Sequence, residues 1–313
     1  FPHFTNVTVT DGTPHVALIE PGSIWPEDTC PLDFLQNFER AVSIEPVIPE
    51  GLGTDIIRPG FDLVLDNAFT VPLSVSWDLT GNAVEDWQPL DMPKTQTYTL
   101  APGEHRVFKY RFAVDRSDVT PVPTFKYTVT YKGRDIRKSE TNIPLFPTEV
   151  LRYAPDYMVA GPYDAGELPH VMPEDPRKEL PKMYIPYAPE QGYVPDALYN
   201  DDGIDRPWRP LHVEGPNDEA AGNVASLYGI SFNKFAYALS GVYSPVDQTV
   251  YARFRIDDYA QLFINGQPFH DRELFRTRGN PTWIEIPLHA GWNTVVVKSA
   301  TITAGWTFRL LYA

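Results

Sequence analysis

The sequence predicts an all-β chain built from two tandem β-sandwiches, and three observations carry that reading. Apolar residues recur with period two through most of the chain, as half-buried strands require. The chain holds 17 Tyr, 17 Phe and 7 Trp beside 32 Pro, a composition of strand-favouring rings and helix-interrupting prolines. At 313 residues it is long enough for two domains, each with its own core.

The elements follow in order. Only "PLDFLQNFERAV", residues 31–42, has helical spacing, through Leu32, Leu35, Phe38 and Val42. Phe61, Leu63 and Leu65 then alternate with Asp62, Val64 and Asp66, and Leu73, Val75, Trp77 and Leu79 alternate with Ser74, Ser76 and Asp78. "HRVFKYRFAV" sets Phe108, Tyr110 and Phe112 against Lys109 and Arg111, "FKYTVTY" repeats the pattern from Phe125 to Tyr131, and "LAPGEH" is a Pro-Gly turn. From about residue 147 to 210 prolines crowd in, which places the domain boundary near 148 and leaves "DYMVAGPY" as a strand of the second domain. Alternation resumes in "QTVYARFRI". "AQLFI", Asn265-Gly266 and "QPF" make a hairpin with a type I′ dipeptide. "TWIEIPL", a Gly-Trp-Asn turn, "TVVVKSA" and "GWTFRLLY" close the chain.

Charge and composition exclude several function classes. A formal charge of −15 repels nucleic acid and anionic membranes. No apolar run reaches the roughly 18 residues that a spanning helix needs, so no membrane insertion is expected. One cysteine, Cys30, leaves no disulfide within the chain and makes the compartment unreadable from cysteine. The start at Phe1 without a leader pattern is expected of a processed chain or a piece of a larger one, and Asn6-Val7-Thr8 is a glycosylation triplet. No G-x-S-x-G elbow, no H-E-x-x-H pair and no zinc-like histidine spacing is present, so the chain reads as non-catalytic.

Residues 149–313 resemble a galactose-binding-like jelly roll, an accessory module of extracellular glycoside hydrolases and surface proteins. The resemblance rests on "YMVAGPYD", the Pro-Glu of "YAPEQG", "RPWRPL", the central "AYALSGVYSPVDQTVYARFRIDDYAQLFINGQPF" and the closing "IPLHAGWNTVVVKSATITAGWTFRLLY". Residues 55–146, with "VLDNAFTVPLSVSWDL" and "YTLAPGEHRVFKYRF", look like an immunoglobulin-like sandwich. The resemblance therefore implies an immunoglobulin-like domain over 1–148 with an N-terminal extension, followed by a jelly roll over 149–313.

"RIDDYAQLFINGQ" is also similar to the protective-antigen-type lectin domain, whose Asp-Asp pair can hold a calcium ion that in turn holds a sugar. That resemblance nominates Asp257 and Asp258 as metal ligands and Asn265 as a further ligand-binding residue, with calcium as the cofactor it implies. The rest of that family's calcium loop has no counterpart here. Read from the residues alone, one acid of the pair caps the turn through its own backbone and the other is solvated, or the two supply part of the six to eight oxygens that calcium takes. "NDDGID" (200–205) and "GPNDEAAGN" (215–223) share the Asp/Asn/Gly composition of calcium loops without their spacing.

Neutral sugars stack their apolar face on an aromatic ring. Tyr259, Trp208, Trp283, Trp292 and Trp306 are candidates; Trp77 and Trp306, in alternating runs, read as core, whereas Trp292 between Gly291 and Asn293 reads as exposed. Arg276, with Arg272 and Arg278 in "HDRELFRTRGN", suits a carboxylate-bearing sugar or an acidic neighbour. The expected function is a carbohydrate-binding accessory segment of a larger carbohydrate-active or surface protein, outside the cell, with a glycan or polysaccharide as partner. The alternative is an assembly protein, a surface-layer, filament or adhesin subunit, whose partners are other domains or subunits.

Overall fold

The computed structural model describes residues 4–20, 23–24, 31–81, 84–200, 203–215, 220–277, 281–302 and 305–313. The alternation read from the sequence becomes strands, and the chain divides into two units, 1–145 and 146–313.

In the first unit the helix runs Pro31–Arg40. It ends two residues earlier than its apolar spacing suggests, because Val42 opens the strand Val42–Glu50 and is buried there. Two four-stranded antiparallel sheets follow. One is ordered Val42–Glu50, Ile56–Asp66, His105–Asp115, Gln88–Pro89, and the other Arg134–Asn142, Thr124–Tyr131, Leu73–Thr80, Thr95–Leu100. Phe61, Leu63, Leu65, Val75, Trp77, Tyr110 and Phe125 are all buried, as their alternation requires. Trp77 donates its indole N–H to the Tyr110 hydroxyl at 2.7 Å, and that hydroxyl donates to the Pro93 carbonyl at 2.9 Å. Buried Asn67 donates to the carbonyls of Val71 and Ala101, both at 2.9 Å, and accepts the Phe69 N–H at 3.0 Å, so its side chain closes the loop.

The second unit is a sandwich of a six-stranded and a five-stranded sheet. The larger is ordered Arg209–His212, Asp156–Asp164, Lys234–Ser244, Gly291–Thr301, Tyr259–Ile264, Gln267–Pro268. The smaller runs Arg152–Tyr153, Thr307–Tyr312, Gln248–Asp257, Thr282–Leu288, with Gly222–Asn223 on Thr307–Tyr312. "DYMVAGPY" is the strand expected of it. Between the sheets lie Val159, Phe254, Leu262, Ile286, Val297, Trp306 and Phe308.

The other face of the larger sheet is also buried. Tyr163, Phe235, Tyr237, Tyr259, Phe263 and Val296 point into a second core closed by Leu168, Leu180 and Met183 of the proline-rich segment. That explains why Tyr259–Ile264 is buried at every position, the polar Gln261 included. At the centre of this layer the Glu190 carboxylate accepts from the Tyr237 hydroxyl at 2.9 Å, from Lys298 Nζ at 3.1 Å and from Arg272 at 2.7 Å. Lys298 gives its remaining N–H groups to the carbonyls of Met183, at 2.7 Å, and Ile185, at 3.0 Å. Its ammonium stands 4.9 Å from the Phe235 ring centre.

Removing one member of such a group strands the others without water. Glu190→Gln is expected to lower the unfolding free energy by about 3–5 kcal/mol in urea titrations. Burial pushes the Lys298 pKa down to about 8, with Glu190 opposing, against about 10.4 for an unfolded lysine. Between those values the unfolded chain binds more protons than the folded one, so the lysine's contribution to stability rises with pH across that window. Stability curves measured from pH 7.5 to about 9.5 should rise in the wild type, and Lys298→Met should remove that part of the slope.

Candidate functional site

Two sites of different chemistry emerge, at opposite ends of the strand Gly291–Thr301. The first is built on the acid pair. Asp257 ends the strand Gln248–Asp257, and the peptide joining it to Asp258 is cis. Asp258 gives its backbone N–H to the Ala300 carbonyl at 3.1 Å, and its carboxylate accepts the Ile302 N–H at 2.7 Å. Asp257 lies against Gly305, where a Cβ would come within 2.3 Å of its carboxylate oxygen. Burial, and then the neighbouring Asp258 charge, raise the Asp257 pKa, while Arg255 opposes. The pair lines a cavity of about 220 Å³ together with Arg255, Arg276, Thr307 and Arg309.

This donor set does not fit a calcium ion. Among the described residues no group of three or more Asp, Glu, His or Cys side chains converges. One oxygen of Asp258 is already engaged, and three guanidinium groups share the cavity where calcium would need six to eight oxygens. The Asp258 carboxylate instead caps the end of the neighbouring strand at Ile302, and Asp257 is packed against Gly305.

Tyr259, nominated as a stacking ring, is fully buried. Its hydroxyl sits 2.9 Å from the Pro169 carbonyl and 2.8 Å from that of Val171. Arg276 donates to the same hydroxyl at 3.1 Å and to the His170 carbonyl at 2.6 Å, with its guanidinium 4.9 Å from the Tyr259 ring centre. Both therefore hold the 169–171 segment in place, and the ring offers no face to a ligand. Asn265 is committed too. It occupies the hairpin turn at φ 51°, accepts the Thr294 N–H at 2.8 Å and donates to Asn293 Oδ1 at 2.8 Å. Arg272 belongs to the Glu190 group. Arg278 and Cys30 lie outside the described residues, as do parts of "NDDGID" and "GPNDEAAGN"; in the former, Asn200 donates to Asp205 at 2.7 Å.

The second site is aromatic. The Gly-Trp-Asn triplet is not a turn: Gly291, Trp292 and Asn293 begin the strand Gly291–Thr301, and the reversal lies just before them. Buried Asn293 makes this possible, accepting the His289 N–H at 2.9 Å and donating to the His289 carbonyl at 2.8 Å. The pairing puts Trp292 directly opposite Tyr243. Trp292 is exposed over 77% of its surface and Tyr243 over 60%. Their rings meet edge to face, 5.6 Å apart at 67°. The indole lies across Gly241, where even a Cβ would stand 3.3 Å from the ring.

Beside this pair runs an open groove of about 380 Å³, lined by Tyr153, Val250, Leu288 and Tyr312 and edged by Arg152 and Gln248. Arg152 Nη1 donates to the carbonyls of Glu149 and Leu151, at 2.7 and 2.8 Å. Gln248 donates to Ser244 Oγ at 2.8 Å and keeps its carbonyl as an acceptor. Trp208, Trp283 and Trp306 are buried or half-buried, so Trp292 alone among the nominated rings is exposed. Tyr243, Arg152 and Gln248 carry no local signature; only strand register brings them to the tryptophan. Trp292 and the acid pair, beside Ala300, are eight residues apart on one strand, or roughly 26 Å. The six nominated residues are not one site.

No family model matches the chain, and no curated protein matches it in sequence. Among solved structures it is similar to a family 35 carbohydrate binding module from Clostridium thermocellum, at 18% identity over 25% of this chain and 68% of that chain, TM-score 0.22. It is also similar to an anti-sigma factor domain-containing protein, at 11% identity over 87% of each chain, TM-score 0.28. A third is a GH31 alpha-xylosidase from Xanthomonas citri, at 8% identity over 99% of this chain and 24% of that chain, TM-score 0.22. At these scores none of them assigns a ligand or a family.

A calcium titration of the whole chain is expected to give no saturable heat. Asp258→Ala, which leaves the buried Ile302 N–H unmet, should cost about 1–3 kcal/mol of stability with or without calcium. A calcium-dependent rise in melting temperature that disappears in Asp258→Asn would contradict this account of the pair.

Proposed function

We propose that the second unit binds carbohydrate on Trp292, and that the chain is a non-catalytic accessory segment of a larger carbohydrate-active or surface protein outside the cell. The observation that carries the proposal is a tryptophan exposed over 77% of its surface and held on a strand. Exposing an indole to water has no folding benefit, and a solvent-facing aromatic plane beside polar groups is what the two faces of a pyranose require: ring C–H groups on the π surface and hydroxyls on donors and acceptors. Tyr243 fixes the indole from the side, Gly241 leaves its footing flat, and Arg152 and Gln248 offer the polar complement. The groove is open and mostly apolar, which suits a segment of a neutral polysaccharide chain more than a charged monosaccharide.

The test is affinity electrophoresis and calorimetry of the whole chain against a panel of neutral glucans, xylans, mannans and galactans. Retention of the wild type by at least one of them is expected. Trp292→Ala should weaken that binding at least tenfold, about 1.4 kcal/mol, whereas Asp257→Asn should leave it unchanged. A wild type that binds nothing in the panel, or a Trp292→Ala variant that binds as well, would overturn the proposal.

A further inference from the structure

The first residues form a hairpin whose outer edge has no partner among the described residues. Phe4–Thr10 pairs antiparallel with Thr13–Glu20 through the two-residue turn Asp11-Gly12, with φ 51° and 81°, the geometry of a type I′ turn. Ser23–Ile24 adds to the return strand, so Phe4–Thr10 is left at the edge of this small sheet. Residues 5–14 are exposed on both faces, Val7 to 55% and Val9 to 65%.

Register decides where the backbone points. Thr10 and Thr13 close the turn as a hydrogen-bonded pair, and bonded and non-bonded pairs alternate from there. Val9/Pro14 and Val7/Val16 are therefore non-bonded, which suits a proline that has no N–H to give. Thr5, Val7 and Val9 consequently turn their N–H and C=O groups outward. Natural edge strands are usually blunted by charge, proline or a bulge, and "FTNVTVT" has none of these. It is instead made of β-branched and polar residues that favour pairing.

We propose that this edge joins two copies of the chain in an antiparallel, two-fold symmetric strand pair centred on Val7. The sequence is self-complementary in that arrangement. Val7 faces Val7 of the second copy, and Thr5 faces Val9 of the second copy. The outward groups of residues 5, 7 and 9 then satisfy one another in about six hydrogen bonds. An offset of one residue would set outward groups against inward ones. The two hairpins become one continuous sheet with Val7, Val9 and Val16 of both copies on a shared face. Self-complementarity favours a second copy over an arbitrary partner edge, and charge does not oppose it. The chain carries −15, yet residues 4–19 contain a single acid, Asp11, so here two such chains meet without repulsion. The contact is isologous and closes at two copies.

Sedimentation velocity of the full chain, from low to high micromolar concentration, tests this. The wild type should show a reversible monomer–dimer equilibrium. Val7→Lys, which sets two ammonium groups at the symmetry axis, should weaken it at least tenfold while circular dichroism and the unfolding transitions stay unchanged. Thr13→Lys, at the turn end of the other strand, should dimerise as the wild type does. Thr5→Lys and Val9→Glu should each weaken the dimer, and the double variant should regain affinity, because the proposed register sets Lys at 5 against Glu at 9 of the second copy. A wild type that remains monomeric, a dimer indifferent to Val7→Lys, or a double variant no better than its single parents would overturn the proposal.

Discussion

The buried Glu190 carboxylate is the contact on which the second unit depends. A proline-rich segment has few backbone hydrogen bonds of its own, and it covers a sheet face whose rings cannot stay wet. Lys298 projects from the middle of that sheet face, and Glu190 from the segment above it; both are buried to 1% exposure or less. Each would be untenable alone, since an isolated charge in such a place costs several kcal/mol. Together with Arg272 and Tyr237 they tie four stretches far apart in sequence to one register. The same logic holds Arg206, which donates to the Pro162 carbonyl at 2.7 Å with its guanidinium 4.2 Å from the Tyr163 ring centre. The wrap is thus pinned at two points by charge that has been removed from water, and it leaves the far end of the strand Gly291–Thr301 open.

That division of one strand explains why the acid pair and the tryptophan differ in character. The end bearing Ala300 lies under the segment that carries Pro169, His170 and Val171, held by Tyr259 and Arg276. There polar groups are used up in holding the fold. The end bearing Trp292 packs the indole against Tyr243 and Gly241 and leaves most of its surface to solvent. Such exposure is what distinguishes a binding surface from a core residue of the same type.

Sequence and structure agree where the signal is local. Period-two alternation located the strands around Phe61, Val75, Phe125 and Phe254, and Asn265-Gly266 marked a turn with positive φ at both positions. Trp77 and Trp306 are core and Trp292 is exposed, as their contexts suggest. The Gly-Trp-Asn triplet misled because its turn-like composition hides the Asn293 side chain, which completes the reversal from within the strand. Tyr259 and Asn265 looked available because a one-dimensional reading shows residue type and not occupancy. Nothing in "DDYAQLFING" reveals that Pro169, His170 and Val171, about ninety residues earlier, lie on the tyrosine and its arginine. Tyr243 was invisible for the same reason, since its partnership with Trp292 exists only through register.

The claim that Trp292 is the glycan platform is tested most directly by the indole N–H resonances of the whole chain in two-dimensional nuclear magnetic resonance, with Trp292 assigned from Trp292→Phe. On titration with a bound neutral oligosaccharide, the Trp292 signal should shift with saturation while buried Trp306 and Trp77 stay fixed. A glycan that binds yet leaves the Trp292 resonance unmoved would contradict the account.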